Sequence, residues 1–152
     1  MKWSAIVLFL ACLCLTAACD DDNAAPPDTT ELRQAREHWE QMGFDSYEIT
    51  QRRNCFCLLG GRPVRLLVFR DSLVSGVNLE DSTALTSDEL QWYLTVDQLF
   101  DYIADIDPAQ VAHYEARYDG TYGFPAYFYV DRSEQIADEE IGFECSDLHP
   151  LR

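Results

Sequence analysis

The chain carries 27 acidic residues against 11 lysines and arginines over 152 positions, a formal charge of −16. That charge repels phosphate backbones and anionic lipid head groups, which excludes nucleic acid as a partner class. The length suits one domain that can bury a core without cross-links.

The first residues differ from the rest: one cation at Lys2, an apolar run from Ala5 to Leu15, then Thr16, Ala17 and Ala18 before Cys19. This is the layout of a secretory signal, and the run is shorter than the roughly 20 apolar residues of a spanning helix. Removal of residues 1–18 leaves ten arginines against all 27 acids, a formal −17. Leu15-Thr16-Ala17-Ala18-Cys19 resembles the bacterial lipobox, with Thr16 where leucine is usual. The resemblance implies an exported lipoprotein whose Cys19 sulfur takes a diacylglyceryl group, held to a bacterial membrane by palmitate-type chains on its periplasmic or outer face. An ordinary cut before a free Cys19 thiol is the alternative. Asp20 resembles the inner-membrane retention signal of enterobacterial lipoproteins. Residues 19–29, acidic and proline-bearing, read as a tether that cannot bury apolar surface.

Residues 30–152 read as one α+β domain. Asp28-Thr29-Thr30-Glu31 forms a capping box, Leu32, Ala35, Trp39 and Met42 recur at helical spacing, and Gly43 ends the helix. From Ser46 the period falls to two, and the first strand leads into Cys55-Phe56-Cys57. Val64, Leu66 and Val68 mark a second strand and Leu73 to Leu79 a third. Glu80 to Leu94 are polar and poorly patterned, a long connection. Thr95 and Gln98 cap a second helix, with Val96, Leu99, Phe100, Ile103 and Ile106 on one face until Pro108. Val111 to Tyr118, Pro125 to Asp131 and Ile136 to Ser146 read as three more strands.

The expected architecture is one antiparallel sheet of about six strands with two helices on one face. Residues 61–68 align with 123–130 at a constant offset of 62, and Val74 and Ile136 keep it. This predicts a helix-plus-three-strand duplication with halves 30–94 and 95–152; the alternative is resemblance between two proline-led hairpins. The order of Trp39, Tyr47, Cys55-x-Cys57, Pro63, Leu99-Phe100, Tyr118-Asp119, Gly123-Phe124-Pro125 and Val130-Asp131 resembles the bacterial family known as domain of unknown function 6174. Its members are small secreted or lipid-anchored proteins. The resemblance covers most of the mature chain and implies no activity, ligand or catalytic residue.

In an exported chain, accessible thiols tend to pair. Strand parity places Cys55, Cys57 and Cys145 on the core side, so Cys145 is expected to bridge to Cys55 or Cys57, closing a loop of roughly 90 residues worth about 4 kcal/mol. The sharper alternative is a thiol-disulfide redox centre at Cys55-x-Cys57, with Arg52, Arg53 and Arg62 lowering a thiol pKa. His113 and His149 show no metal-ligand spacing beside the cysteines, Asp138-Glu139-Glu140 has no calcium-loop pattern, and no cofactor or catalytic motif appears. Parity sets Tyr127 and Tyr129 opposite Phe128, a candidate binding surface. The expected role is a non-catalytic envelope module, tethered to the membrane by its lipid, that binds another envelope protein or a cell-wall component.

Overall fold

The computed structural model describes residues 29–151. Residues 1–28, and with them the signal, Cys19, the tether and the Asp28 cap, lie outside the described residues. The described chain forms α1 (Thr29–Met42), β1 (Tyr47–Asn54), β2 (Pro63–Phe69), β3 (Ser72–Asn78), α2 (Ser87–Leu90), α3 (Val96–Ala104), a 3-10 turn (Pro108–Gln110), β4 (His113–Tyr118), β5 (Pro125–Asp131) and β6 (Ile141–Pro150). The six strands make one antiparallel sheet in the order β3-β2-β1-β6-β5-β4.

Period-two patterning decides which face is covered. Tyr47, Ile49, Val64, Leu66, Val68, Phe128, Val130 and Phe143 point to one side and bury against Ala35 and Trp39 of α1 and Val96, Leu99, Phe100 and Ile103 of α3. The helices therefore share one face, and one core serves the whole domain. Thr95 caps α3 as the capping box predicts, its hydroxyl accepting from the Gln98 N–H. The Tyr47 hydroxyl accepts the Val96 N–H at 2.9 Å, tying that helix start to the central strand.

Element order repeats as helix and three strands, and β2 and β5 hold the offset of 62. The geometry does not repeat. Both meanders step across the sheet in the same direction, but β1 and β4 run oppositely, so no rotation that keeps both helices on one face superimposes the halves. The chain between β3 and β4 instead crosses from one sheet edge to the other over the helical face, and α2 and α3 form that crossing.

Several boundaries differ from the sequence reading. The first strand stops at Asn54, before the cysteines. The long connection holds α2, whose Thr86–Glu89 capping box is complete. The second helix ends at Ala104 with Asp105 as its cap, and Ile106 lies beyond it. Pro108 disfavours helical backbone before it and starts the 3-10 turn. Ile136 sits in the connection ahead of β6, which begins at Ile141 and continues to Pro150. A bulge between Glu48 and Thr50 in the β1–β6 ladder coincides with Asp147 at φ 51°, and it returns Leu148 to the core.

Candidate functional site

The face away from the helices is covered by no described element. The register builds a cross-strand row there: Pro63 opposite Arg52, Arg52 opposite Glu144, Glu144 opposite Tyr127 and Tyr127 opposite Arg117. Sheet twist makes this row a shallow depression of about 510 Å³ lined by Thr50, Arg52, Arg117, Tyr127, Glu144 and Ser146. The Arg117 guanidinium lies 4.2 Å above the Tyr127 ring, and Arg52 reaches Glu144 at 3.7 Å. The ion pair is exposed and contributes at most about 1 kcal/mol, so these charges are available to a ligand.

Tyr127 and Tyr129 do lie on this open face. They are half-buried, because Arg117 covers Tyr127 and the His113 ring packs 5.7 Å from Tyr129. Desolvation, with the carboxylates of Glu140 and Asp131, raises the Tyr129 pKa. The face thus offers aromatic rings, two guanidiniums and a carboxylate in one row, a surface suited to a polar or peptide ligand.

The expected bridge to Cys145 is corrected. Cys55 and Cys57 are bonded to each other, and Cys145 is a buried free thiol. Cys145 pairs in register with Gln51, which donates its Nε2 to the Cys145 Sγ at 3.6 Å. Four residues of strand span about 13 Å, beyond the roughly 7 Å Cα reach of a disulfide, so Cys55 and Cys57 lie out of range. The parity argument failed because the sheet ends before Cys55: both cysteines sit in the β1–β2 turn, where alternation no longer holds. Burial pushes the Cys145 thiol up to about 12, which leaves it protonated and inert.

The turn is shaped by backbone contact. Gly60 N–H bonds to the Cys57 carbonyl, and a Cβ on Gly60 would collide with the Cys55 carbonyl, so only glycine closes the loop around the disulfide. Phe56 and Leu58 project outward from it. Sequence reasoning missed this tip, although two adjacent glycines after an apolar run, Leu58-Leu59-Gly60-Gly61, signal a turn rather than a strand. Beneath it, the buried Arg53 guanidinium lies 5.6 Å from the Trp92 ring centroid and 5.9 Å from that of Tyr93, and burial lowers its pKa.

Among the described residues, no group of three or more His, Cys, Asp or Glu is placed to hold a metal ion, and no helix is long and apolar enough to cross a membrane. His113 begins edge strand β4 and His149 lies near the end of interior strand β6, so the register sets them at opposite ends along the strand direction. Fold and site together define a small α+β domain with one helix-covered and one open sheet face. The chain belongs to the Family of unknown function (DUF6174), whose model matches residues 31–150. No curated protein and no solved structure matches it.

Proposed function

We propose that this protein is an exported envelope lipoprotein, anchored through Cys19, whose domain is a non-catalytic module that binds a protein or cell-wall ligand on the open sheet face. The observation that carries the binding reading is the row Arg52, Glu144, Tyr127 and Arg117 along an uncovered depression. The lipobox-like Leu15 to Cys19 segment supports the anchor. A photo-crosslinking residue at Ser146 should give a discrete adduct in intact envelopes. The double change Tyr127→Ser and Tyr129→Ser should weaken it about tenfold, the effect of losing roughly 1.4 kcal/mol of binding. An undiminished adduct refutes the surface assignment.

A second reading, thiol-disulfide exchange at Cys55-x-Cys57, is favoured by the bond between these two residues in an accessible loop. Exposed disulfides tend to be the exchangeable ones. In the Cys57→Ser and Cys55→Ser variants the remaining thiolate should attack a partner's disulfide, forming a mixed disulfide and releasing the partner's other thiol, and with no second cysteine to resolve it the adduct should accumulate. Absence of any trapped species from either variant removes this reading.

A further inference from the structure

The β1–β2 hairpin departs from the rest of the molecule in charge. From Ile49 to Arg70 there is no Asp or Glu, and this stretch holds five arginines, half of those in residues 19–152. Its tip is the most exposed apolar surface in the domain: Phe56 is 83% and Leu58 69% accessible, held outward by the Cys55–Cys57 bond and the Gly60 contact. Trp92, stacked on Arg53, and Ile136, on the neighbouring β5–β6 connection, add exposed apolar surface at the same end of the sheet. Arg52 and Arg62 flank the tip, and Arg65 stands exposed three residues beyond Arg62, on β2.

We infer that the Phe56–Leu58 tip is a wedge that enters an anionic lipid surface, with Arg52, Arg62 and Arg65 at the head-group level. Three arguments favour a bilayer as the occupant. An aromatic and aliphatic tip ringed by arginine is the composition that partitions into the head-group boundary. Charges beyond about 8 Å are screened at physiological salt, so most of the −17 of the mature chain is not felt at the tip, and the negative charge that the five hairpin arginines meet there is that of Glu134, Asp138, Glu139 and Glu140 on the β5–β6 connection. Glu144 and Glu80 lie 3.7 and 3.8 Å from Arg52 and Arg62 in exposed pairs worth at most about 1 kcal/mol, weak enough for a head-group phosphate to displace, and Arg65 has no carboxylate within ion-pair distance among the described residues.

The third argument is reach, and it rests on the anchor proposed above. Glu31 and Ala35 of α1 lie against Tyr118 and Gly123, so the helix begins at the sheet end opposite the wedge. The ten residues from Cys19 to Thr29 extend at most about 35 Å. An eight-residue strand such as β1 spans about 26 Å, so an anchored domain can lay its far end on the same bilayer.

The test uses the full chain purified from membranes, carrying Phe56→Trp, mixed with vesicles of phosphatidylcholine and phosphatidylglycerol or of phosphatidylcholine alone. Brominated lipid should reduce the emission that Phe56→Trp adds, read as the difference from the parent chain whose Trp39 and Trp92 also emit, about twofold on the mixed vesicles and less on the neutral ones, and Leu58→Asp in the same chain should abolish the effect. Chain that floats with the vesicles through a high-salt wash without quenching overturns the wedge and leaves the anchor standing; an indole then found shielded only in whole envelopes identifies a protein as occupant instead. Quenching that a high-salt wash removes together with the chain supports the wedge and refutes the anchor. Neither flotation nor quenching overturns both.

Discussion

Gln51 is the polar residue on which the central strand and the crossing loop depend most. It is fully buried on β1, its Nε2 donates to the Leu94 carbonyl and its Oε1 accepts the Leu94 N–H, both at 3.1 Å. The side chain thus acts as a strand mimic, pairing both groups of one residue just ahead of α3. Gln51→Leu keeps the volume nearly constant, so the cavity contribution is small and the cost is two unpartnered backbone groups. Each costs about 1–3 kcal/mol when sealed from water; because Leu94 is half-buried the lower part of that range applies, and the apolar side chain offsets some of it. The expected net loss is about 2 kcal/mol, a fall in the urea midpoint of roughly 1 M. Amide exchange at Leu94 and, less strongly, at Val96 should accelerate as well, because the start of α3 loses one of its two polar ties to the sheet and keeps that of Tyr47. A midpoint unchanged within error, with exchange at both amides unaltered, refutes the reasoning by showing that water satisfies the Leu94 amide at no cost.

Gly123→Ala places a Cβ 2.6 Å from the Ala35 carbonyl at a φ of +85°, and should cost about 2 kcal/mol or more in thermal denaturation by lifting α1 off the β4–β5 turn. Replacing both Cys55 and Cys57 with Ser should cost no more than about 1.5 kcal/mol in urea, since the closed loop spans three residues rather than the roughly 90 of a bridge to Cys145. Cys145 should resist alkylation in the folded protein and react only on unfolding. Its pKa is raised from 9.0 to about 12, so above pH 9 the unfolded chain binds fewer protons than the folded one; stability should fall as pH rises from 9 towards 12, less steeply in Cys145→Ala.

The six strands and the two longer helices were legible because each side of the domain follows one period. Val64, Leu66 and Val68 in β2 and Phe128 and Val130 in β5 alternate with outward residues, and Thr95 with Gln98 announces α3 in local chemistry alone. Part of the candidate site followed from the same rule: parity sets Tyr127 and Tyr129 on the open face once β5 is recognised. Parity then misled at Cys55 and Cys57, since alternation is a property of paired backbone and has no meaning past Asn54. The Asp147 bulge was equally hidden, because a single residue at positive φ shifts the register without altering the composition around it.

By itself the sequence determined what depends on near neighbours: the elements, the inward faces, and the acid-free stretch from Ile49 to Arg70. Strand order belongs to the tertiary structure, because which edges meet depends on how the chain crosses the helical face between β3 and β4. That order sets Gln51 beside Cys145 and keeps Cys145 about four strand residues from the other cysteines, and it assembles Arg52, Glu144, Tyr127 and Arg117 from four strands. Disulfide partners and surface rows are long-range pairings, and no local periodicity encodes them.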